Sequence, residues 1–207
     1  MTRNYIRYIP ASSLRFSKRE LNFPKSDYRK NAYSLPLFVY SSLFLSHDIR
    51  KDVNVFLILS DDIYKIIQIS SNRLRNMRPD FRSILLILDK AIKLVCKRRL
   101  NHLFFQRSGI RIFKSLEELR ATLNQFSLII VEHGDQTLSL TSLPKDEQYL
   151  IQIGVPSTDK ANLESYFPLF GKIYFPFTFN LCVVPSVLNI EFDRSQIFDR
   201  RVDSATQ

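Results

Sequence analysis

Two places in this 207-residue chain crowd groups that could do chemistry. In Leu45 to Ser60, LSHDIRKDVNVFLILS, the residues Ser46, His47, Asp48, Arg50, Lys51 and Asp52 fall within one turn. In Glu132-His133-Gly134-Asp135, an imidazole stands two residues from a carboxylate and could form an acid–base pair with it. A third stretch suits binding rather than bond making. Between Pro10 and Lys30, Arg15, Lys18, Arg19, Lys25, Arg29 and Lys30 alternate with Phe16, Phe23 and Tyr28. Cations meet phosphates and rings stack on unpaired bases, so this segment is the expected RNA contact. Each place also has a plainer reading. The first is a structural corner between a helix and a strand, in which Ser46 caps the turn and Asp48 or Asp52 pairs with Arg50 or Lys51. The second is a hydrogen-bonded turn, and the third a loosely ordered loop.

Other chemistries find no support. The chain has no GxGxxG or GxxxxGK[ST] phosphate loop and no GxSxG elbow. His47, His102 and His133 are scattered, and Cys96 and Cys182 stand apart, so neither a metal site nor a disulfide framework is expected. A reducing cytoplasm fits that cysteine usage. No run approaches the ~18 apolar residues of a membrane span, and MTRNYIRYIP lacks the apolar stretch of a secretion signal.

Charge is lopsided. The net charge is +10, yet residues 1–114 carry 23 Lys and Arg against 8 Asp and Glu, while residues 115–207 carry 7 against 12. A basic front half on a mildly acidic remainder reads as a polyanion-binding surface, with nucleic acid the first candidate. A solvated basic face is the alternative.

With 45% hydrophobic residues, the chain has material for one core and reads as a single domain over 1–207. Asn4 to Ile9 is a candidate first strand. Leu35 to Leu45 reads as a buried helix with Pro36 in its first turn, and Val53 to Leu59 as a buried strand. Tyr64 to Ile69 is expected to pair back on that strand as a hairpin. Pro79 and Asp80 open a helix with Phe81, Leu85, Leu88, Ile92 and Val95 at helical spacing. Ile110 to Phe113 is a short strand. Ser115 and Glu118 form a capping box for a helix ending near Gln125. Ser127 to Val131, Tyr149 to Ile153 and Lys172 to Phe175 are strands. Between the last two, Thr158 or Asp159 opens a helix. Phe177 to Leu188 is a possible last helix with Pro185 inside it, and the tail over 193–207 reads as frayed. This alternation argues for an α/β fold with a parallel sheet. Ligands in such sheets sit beyond the strands' carboxyl ends. That rule selects Glu132–Asp135, Gly154–Thr158 and Tyr174–Phe177. Gly134 and Gly154 lie just past strand ends, where glycine allows positive φ and close backbone approach.

In these residues the chain resembles the archaeal TrmY family, tRNA pseudouridine-54 N1-methyltransferases of the SPOUT superfamily. LFLSHDIRKDVNVFLIL is similar to the family's central signature. MRPDFRSILLILDKAIK, SGIRIFKSLEEL, LIIVEHGD, YLIQIGVPSTD and KIYFPFTFNLC resemble further family segments in the same order, over most of residues 32–190. The resemblance implies a mostly parallel sheet flanked by helices, with a C-terminal trefoil knot that periodicity alone could not reveal. It implies S-adenosylmethionine as cofactor, tRNA as partner, a homodimer and a cytoplasmic enzyme. By resemblance the cofactor would meet Val131, Gly154, Ile173, Tyr174, Phe175, Pro176, Phe177 and Cys182.

The chain also departs from the family. Lys30-Asn31-Ala32-Tyr33 stands where the family has Gly-Arg-Leu-Asp, whose Arg and Asp address the target base. The upstream Asp27 and Arg29 are the candidate substitutes. Val155, Pro156 and Ser157 stand where a second glycine is expected, and Pro185 interrupts the closing helix pattern. The alternative function is therefore an inactive or retargeted SPOUT relative that binds RNA without methylating it.

Overall fold

Runs of Ile, Leu, Val and Phe, bounded by turn residues, build one mixed sheet. The computed structural model describes residues 7–10, 34–44, 48–50, 53–59, 65–74, 77–96, 109–134, 148–153, 163–175, 184–191 and 193. Its strands are β1 (Arg7–Pro10), β2 (Asn54–Leu59), β3 (Lys65–Ser70), β4 (Ile110–Phe113), β5 (Phe126–His133), β6 (Gln148–Ile153) and β7 (Leu169–Phe175). Their order across the sheet is β4-β3-β2-β1-β6-β5-β7. From β2 to β7 every neighbouring pair is parallel. β3 pairs antiparallel with β2, as expected of a hairpin, and β4 antiparallel with β3.

Side chains alternate across the pleat, so strands β2 to β6 each feed two cores. Ile129 and Val131 of β5 join one core, and Leu128 and Ile130 join the other. Helices α1 (Ser34–Leu43), α2 (Phe81–Cys96) and α4 (184–191) cover the first face. They do so through Phe38, Leu43, Ile84, Leu88, Val184 and Leu188. Helix α3 (Leu116–Thr122) and the short turn Leu163–Ser165 cover the second, through Leu116, Leu119, Leu163 and Phe167. Tyr166 ties these two pieces together by donating its hydroxyl to Glu117 Oε1 at 3.1 Å.

Local chemistry sets the helix starts. Asp80 Oδ1 accepts the Ser83 N–H at 2.8 Å, which caps α2. Ser115 Oγ accepts the Glu118 N–H at 3.3 Å, and Glu118 Oε2 accepts the Lys114 N–H at 2.8 Å. The expected capping box is thus present, with its return bond shifted one residue upstream. Helix α3 stops at Thr122, short of Gln125, because the Phe126 N–H turns back to the Leu123 carbonyl and starts β5. Gly109 adopts φ +80° at the entry to β4, where a Cβ would lie 2.7 Å from the backbone of Arg73 and Leu74. Only glycine combines that conformation with that approach.

The end of α1 explains the polar knot that follows it. A helix leaves its last four carbonyls without intrahelical donors, and here the end is buried. The Tyr40 carbonyl takes the Phe44 N–H at 3.0 Å, and the Leu43 carbonyl takes the Arg50 N–H at 2.8 Å. The Ser41 carbonyl accepts from Ser186 Oγ at 3.1 Å and the Ser42 carbonyl from Asn189 Nδ2 at 3.1 Å, both on α4. Helix α1 therefore ends two residues before Leu45. The Arg50 side chain, only 7% exposed, reaches Asp193 in two bonds of 3.0 and 2.6 Å. Its partner is thus 143 residues away, whereas Asp48 caps the adjacent Ile49 N–H at 2.7 Å. Lys51 and Asp52 lie outside the described residues. Asp193, where the sequence suggests fraying, is held. Pro185 does not end α4. It stands in the first described turn, where a missing N–H is tolerated, and the helix continues through 191; residues 176–183 lie outside the described residues.

Asn189→Ala removes a donor from the buried carbonyls of α1. The expected cost is about 1–3 kcal/mol, read as a lower urea midpoint at unchanged m-value.

Candidate functional site

Parallel pairing brings four strand ends into one row. Val131 of β5 is in register with Ile153 of β6 on one side and Ile173 of β7 on the other. Ile153 is in turn in register with Pro10 of β1. With neighbouring strands ~4.8 Å apart, the row is about 15 Å wide. Beyond it lie the loops that the strand-end rule selects.

The register comes from an irregularity. Leu128 pairs with Leu169 but Ile129 pairs with Gly171, so Phe170 is an extra residue in β7. A one-residue slip exchanges the faces of everything after it. Here it places Ile173 and Phe175 on the Val131 side, and Lys172 and Tyr174 on the Glu132 side. The displaced Phe170 ring packs edge-on against Tyr149, with centroids 5.2 Å apart.

On the first side, Val131, Ile153 and Ile173 are buried in the core that also contains Val184 and Leu188 of α4, and Phe175 packs partly buried against it. They form an apolar floor. On the second side, Tyr174 lies over Gly134. A Cβ on Gly134 would stand 2.7 Å from the Tyr174 ring. Gly134 does not use the left-handed region, so the ring, rather than a positive φ, is what requires glycine there. Its N–H donates to the Phe175 carbonyl at 2.9 Å and extends the β5–β7 ladder past the strand end. Beside it, Lys172 Nζ donates to Glu132 Oε1 at 3.0 Å. The Glu132 carboxylate holds the Lys172 ammonium above the usual lysine range, against a smaller opposing effect of burial. Lys172 is therefore a cation at neutral pH and a poor general base.

Of the residues expected to meet a cofactor, Val131, Ile173, Tyr174 and Phe175 gather at this edge, while Gly154, Pro176, Phe177 and Cys182 lie outside the described residues. So do Asp27, Arg29 and the basic positions Arg15, Lys18, Arg19, Lys25 and Lys30. The His133–Asp135 pair also lies outside, for the His133 side chain and all of Asp135. Among the described residues no group of three His, Cys, Asp or Glu could hold a metal ion, and no helix is long and apolar enough to cross a membrane. Sequence reading missed the Tyr174–Gly134 contact and the Glu132–Lys172 pair. The second left a signal: two opposite charges on otherwise apolar strands, one residue from the floor.

Gly134→Ala is expected to destabilise the protein by ~1–3 kcal/mol. The same substitution in a Tyr174→Ala background is expected to cost less than half as much. Urea titration of the double-mutant cycle reads the coupling.

Residues 36–163 match the model of the family described as "Putative SAM-dependent RNA methyltransferase". Two curated relatives share the name tRNA (pseudouridine(54)-N(1))-methyltransferase. The one from Haloferax volcanii is 42% identical over 55 residues, 27% of this chain and 27% of that protein. The one from Methanococcoides burtonii is 29% identical over 121 residues, 55% of this chain and 57% of that protein. The chain thus spans little more than half, at most, of the length of these relatives. The fold is similar to that of Archaeoglobus fulgidus Nep1 bound to S-adenosylhomocysteine, with a TM-score of 0.61 at 10% identity over 95% of this chain and all of that one. Because the family match covers well over half of the sequence, this chain belongs to that family of RNA methyltransferases, whose cofactor is S-adenosylmethionine.

Proposed function

We propose that this protein methylates N1 of a pseudouridine in tRNA, at position 54 in the T-loop. The observation that carries the reading is the shared name of the two relatives, on a chain that belongs to an RNA methyltransferase family. The strand-end row supports it. A buried apolar floor of Val131, Ile153 and Ile173 fits an adenosine, whose ring needs apolar contact and a few backbone donors and acceptors at its edge. Val131, Ile173, Tyr174 and Phe175 would hold the cofactor, joined by Gly154, Pro176, Phe177 and Cys182. When bound, S-adenosylmethionine supplies an electrophilic methyl group on a sulfonium.

The chain's own work is orientation and charge control. Pseudouridine N1 carries a weakly acidic proton. As that proton passes to a positioned base or to water, negative charge builds on the ring and its carbonyls; it would be consumed when N1 takes the methyl group and the electrons of the broken sulfur–carbon bond return to sulfur. Cations and N–H donors around the ring serve that need. Asp27 and Arg29 are the candidates for addressing the base, in place of the pair that Asn31 and its neighbours lack. Arg15, Lys18, Arg19, Lys25, Arg29 and Lys30 would hold the RNA backbone. The proposal includes a single SPOUT domain over 1–207 with a C-terminal trefoil knot, a homodimer and a cytoplasmic setting. The likeness to Nep1 in fold and the return of α4 onto α1 support that architecture.

Calorimetry with S-adenosylhomocysteine is expected to show one site per chain, and no heat at millimolar ligand would end the reading. Incubation with tRNA and S-adenosylmethionine is expected to convert pseudouridine into a species one methyl heavier by nucleoside mass analysis. Unmethylated pseudouridine with cofactor bound would favour RNA binding without methylation.

Reversing charge at Arg15, Lys18 and Arg29 together is expected to weaken tRNA binding at least tenfold at low salt, where phosphate contacts count most. Unchanged affinity in a filter-binding titration would remove this segment from the RNA face.

A further inference from the structure

We infer that Arg50 and Asp193 are positioning residues whose ion pair sets the seat of α4 against the strand-end floor, and thereby the affinity for S-adenosylmethionine. The inference rests on the cofactor reading above.

Helix α4 meets the rest of the fold along two stripes set apart around its axis, with Pro185 between them. Val184 and Leu188, four residues apart and fully buried, form an apolar stripe in the same core as Val131, Ile153 and Ile173. Ser186, Asn189 and Asp193 follow at spacings of three and four, so they lie on one helical face and form a polar stripe. Apolar contact is non-directional and resists separation more than sliding. The polar stripe supplies direction. Ser186 and Asn189 donate to the Ser41 and Ser42 carbonyls at 3.1 Å each. Asp193 receives both terminal nitrogens of Arg50, at 3.0 and 2.6 Å, a bidentate pair with a defined plane.

Arg50 is the fixed member. Its N–H is bonded to the Leu43 carbonyl at 2.8 Å, the Phe44–Ile49 bridge closes the turn before it, and its side chain is 7% exposed. Asp193 is 49% exposed and is the member that comes to it. The pair therefore anchors the far end of α4 to the turn after α1, while Val184 at the near end belongs to the core that contains the floor. Losing the pair leaves Ser186 and Asn189 as the remaining polar ties, loosens the far end of α4 and shifts the helix against that core.

The test uses the full chain with Asp193→Ala, with Asp193→Glu as the conservative variant and Ser115→Ala as a stability control on the opposite face of the sheet. Hydrogen exchange is read over 184–191 and over β5, and S-adenosylhomocysteine affinity by calorimetry. In Asp193→Ala, exchange over 184–191 is expected to rise at least tenfold with β5 unchanged, and affinity to fall about tenfold. Asp193→Glu is expected to bind within about twofold of wild type, and Ser115→Ala to bind as wild type despite a lower melting temperature. Wild-type affinity in Asp193→Ala, or unchanged exchange over 184–191, would overturn the inference and leave the cofactor reading intact. Wild-type protein that does not bind S-adenosylhomocysteine, with exchange still responding in Asp193→Ala, would overturn both and leave the pair a purely structural tie.

Discussion

A buried helix end cannot leave its carbonyls to water, and that constraint organises this molecule. Helix α1 closes in the core with Ser41 and Ser42 almost fully buried. Its last carbonyls need donors that local sequence supplies only in part, through Phe44 and Arg50. The remainder come from Ser186 and Asn189, about 145 residues later. A polar group buried without a donor costs a few kcal/mol, a large share of a domain's net stability. The docking of the C-terminal helix is thus a condition for burying α1, and the burying of α1 closes one face of the sheet. Front and back halves of the chain become one core for this reason, despite their opposite net charge.

The same sheet converts a local irregularity into a site. The extra residue at Phe170 sets which side of β7 is apolar. Past it, Ile173 and Phe175 continue the floor begun by Val131 and Ile153, while Lys172 and Tyr174 take up Glu132 and Gly134 on the other side. The floor is dry and the opposite side is polar, with its charges already paired. Such an edge favours a ligand that is flat and apolar on one face, with polar atoms at its rim. It offers no metal set among the described residues and keeps its nearest amine protonated.

Much of this frame was legible in the sequence because short-range rules govern it. The hairpin of β2 and β3, the Asp80 and Ser115 caps and the parallel strands from Ser127 onward follow from periodicity and turn chemistry. The strand-end rule picked out Glu132 and Tyr174, which the register pairs at one edge. What sequence could not show were pairings set by tertiary geometry. Arg50 has two acids within three residues, and its bond to Asp193, 143 residues on, could not be read from nearness in the chain, because a bidentate pair needs direction. Gly134 reads as a residue of unusual φ, whereas the Tyr174 ring is what excludes a side chain. In each case a local propensity was judged without the neighbour that decides it.

The division between cofactor frame and substrate-facing segment has a consequence for function. The family match begins at residue 36, past Asp27, Arg29 and Asn31, the stretch proposed to face the base. The apolar floor, the bulge and the α1–α4 tie are assembled from other stretches of the sequence. On the proposed reading, the methyl-donor site and the choice of base are therefore built from separate stretches of the sequence. A change at the base-addressing positions can alter the target while the floor keeps its shape. A change in the tie between Arg50 and Asp193 does the reverse, disturbing the floor without touching any group that would contact RNA. That separation follows from the topology, since the row of parallel strand ends is shaped by β-pairing and helix docking alone.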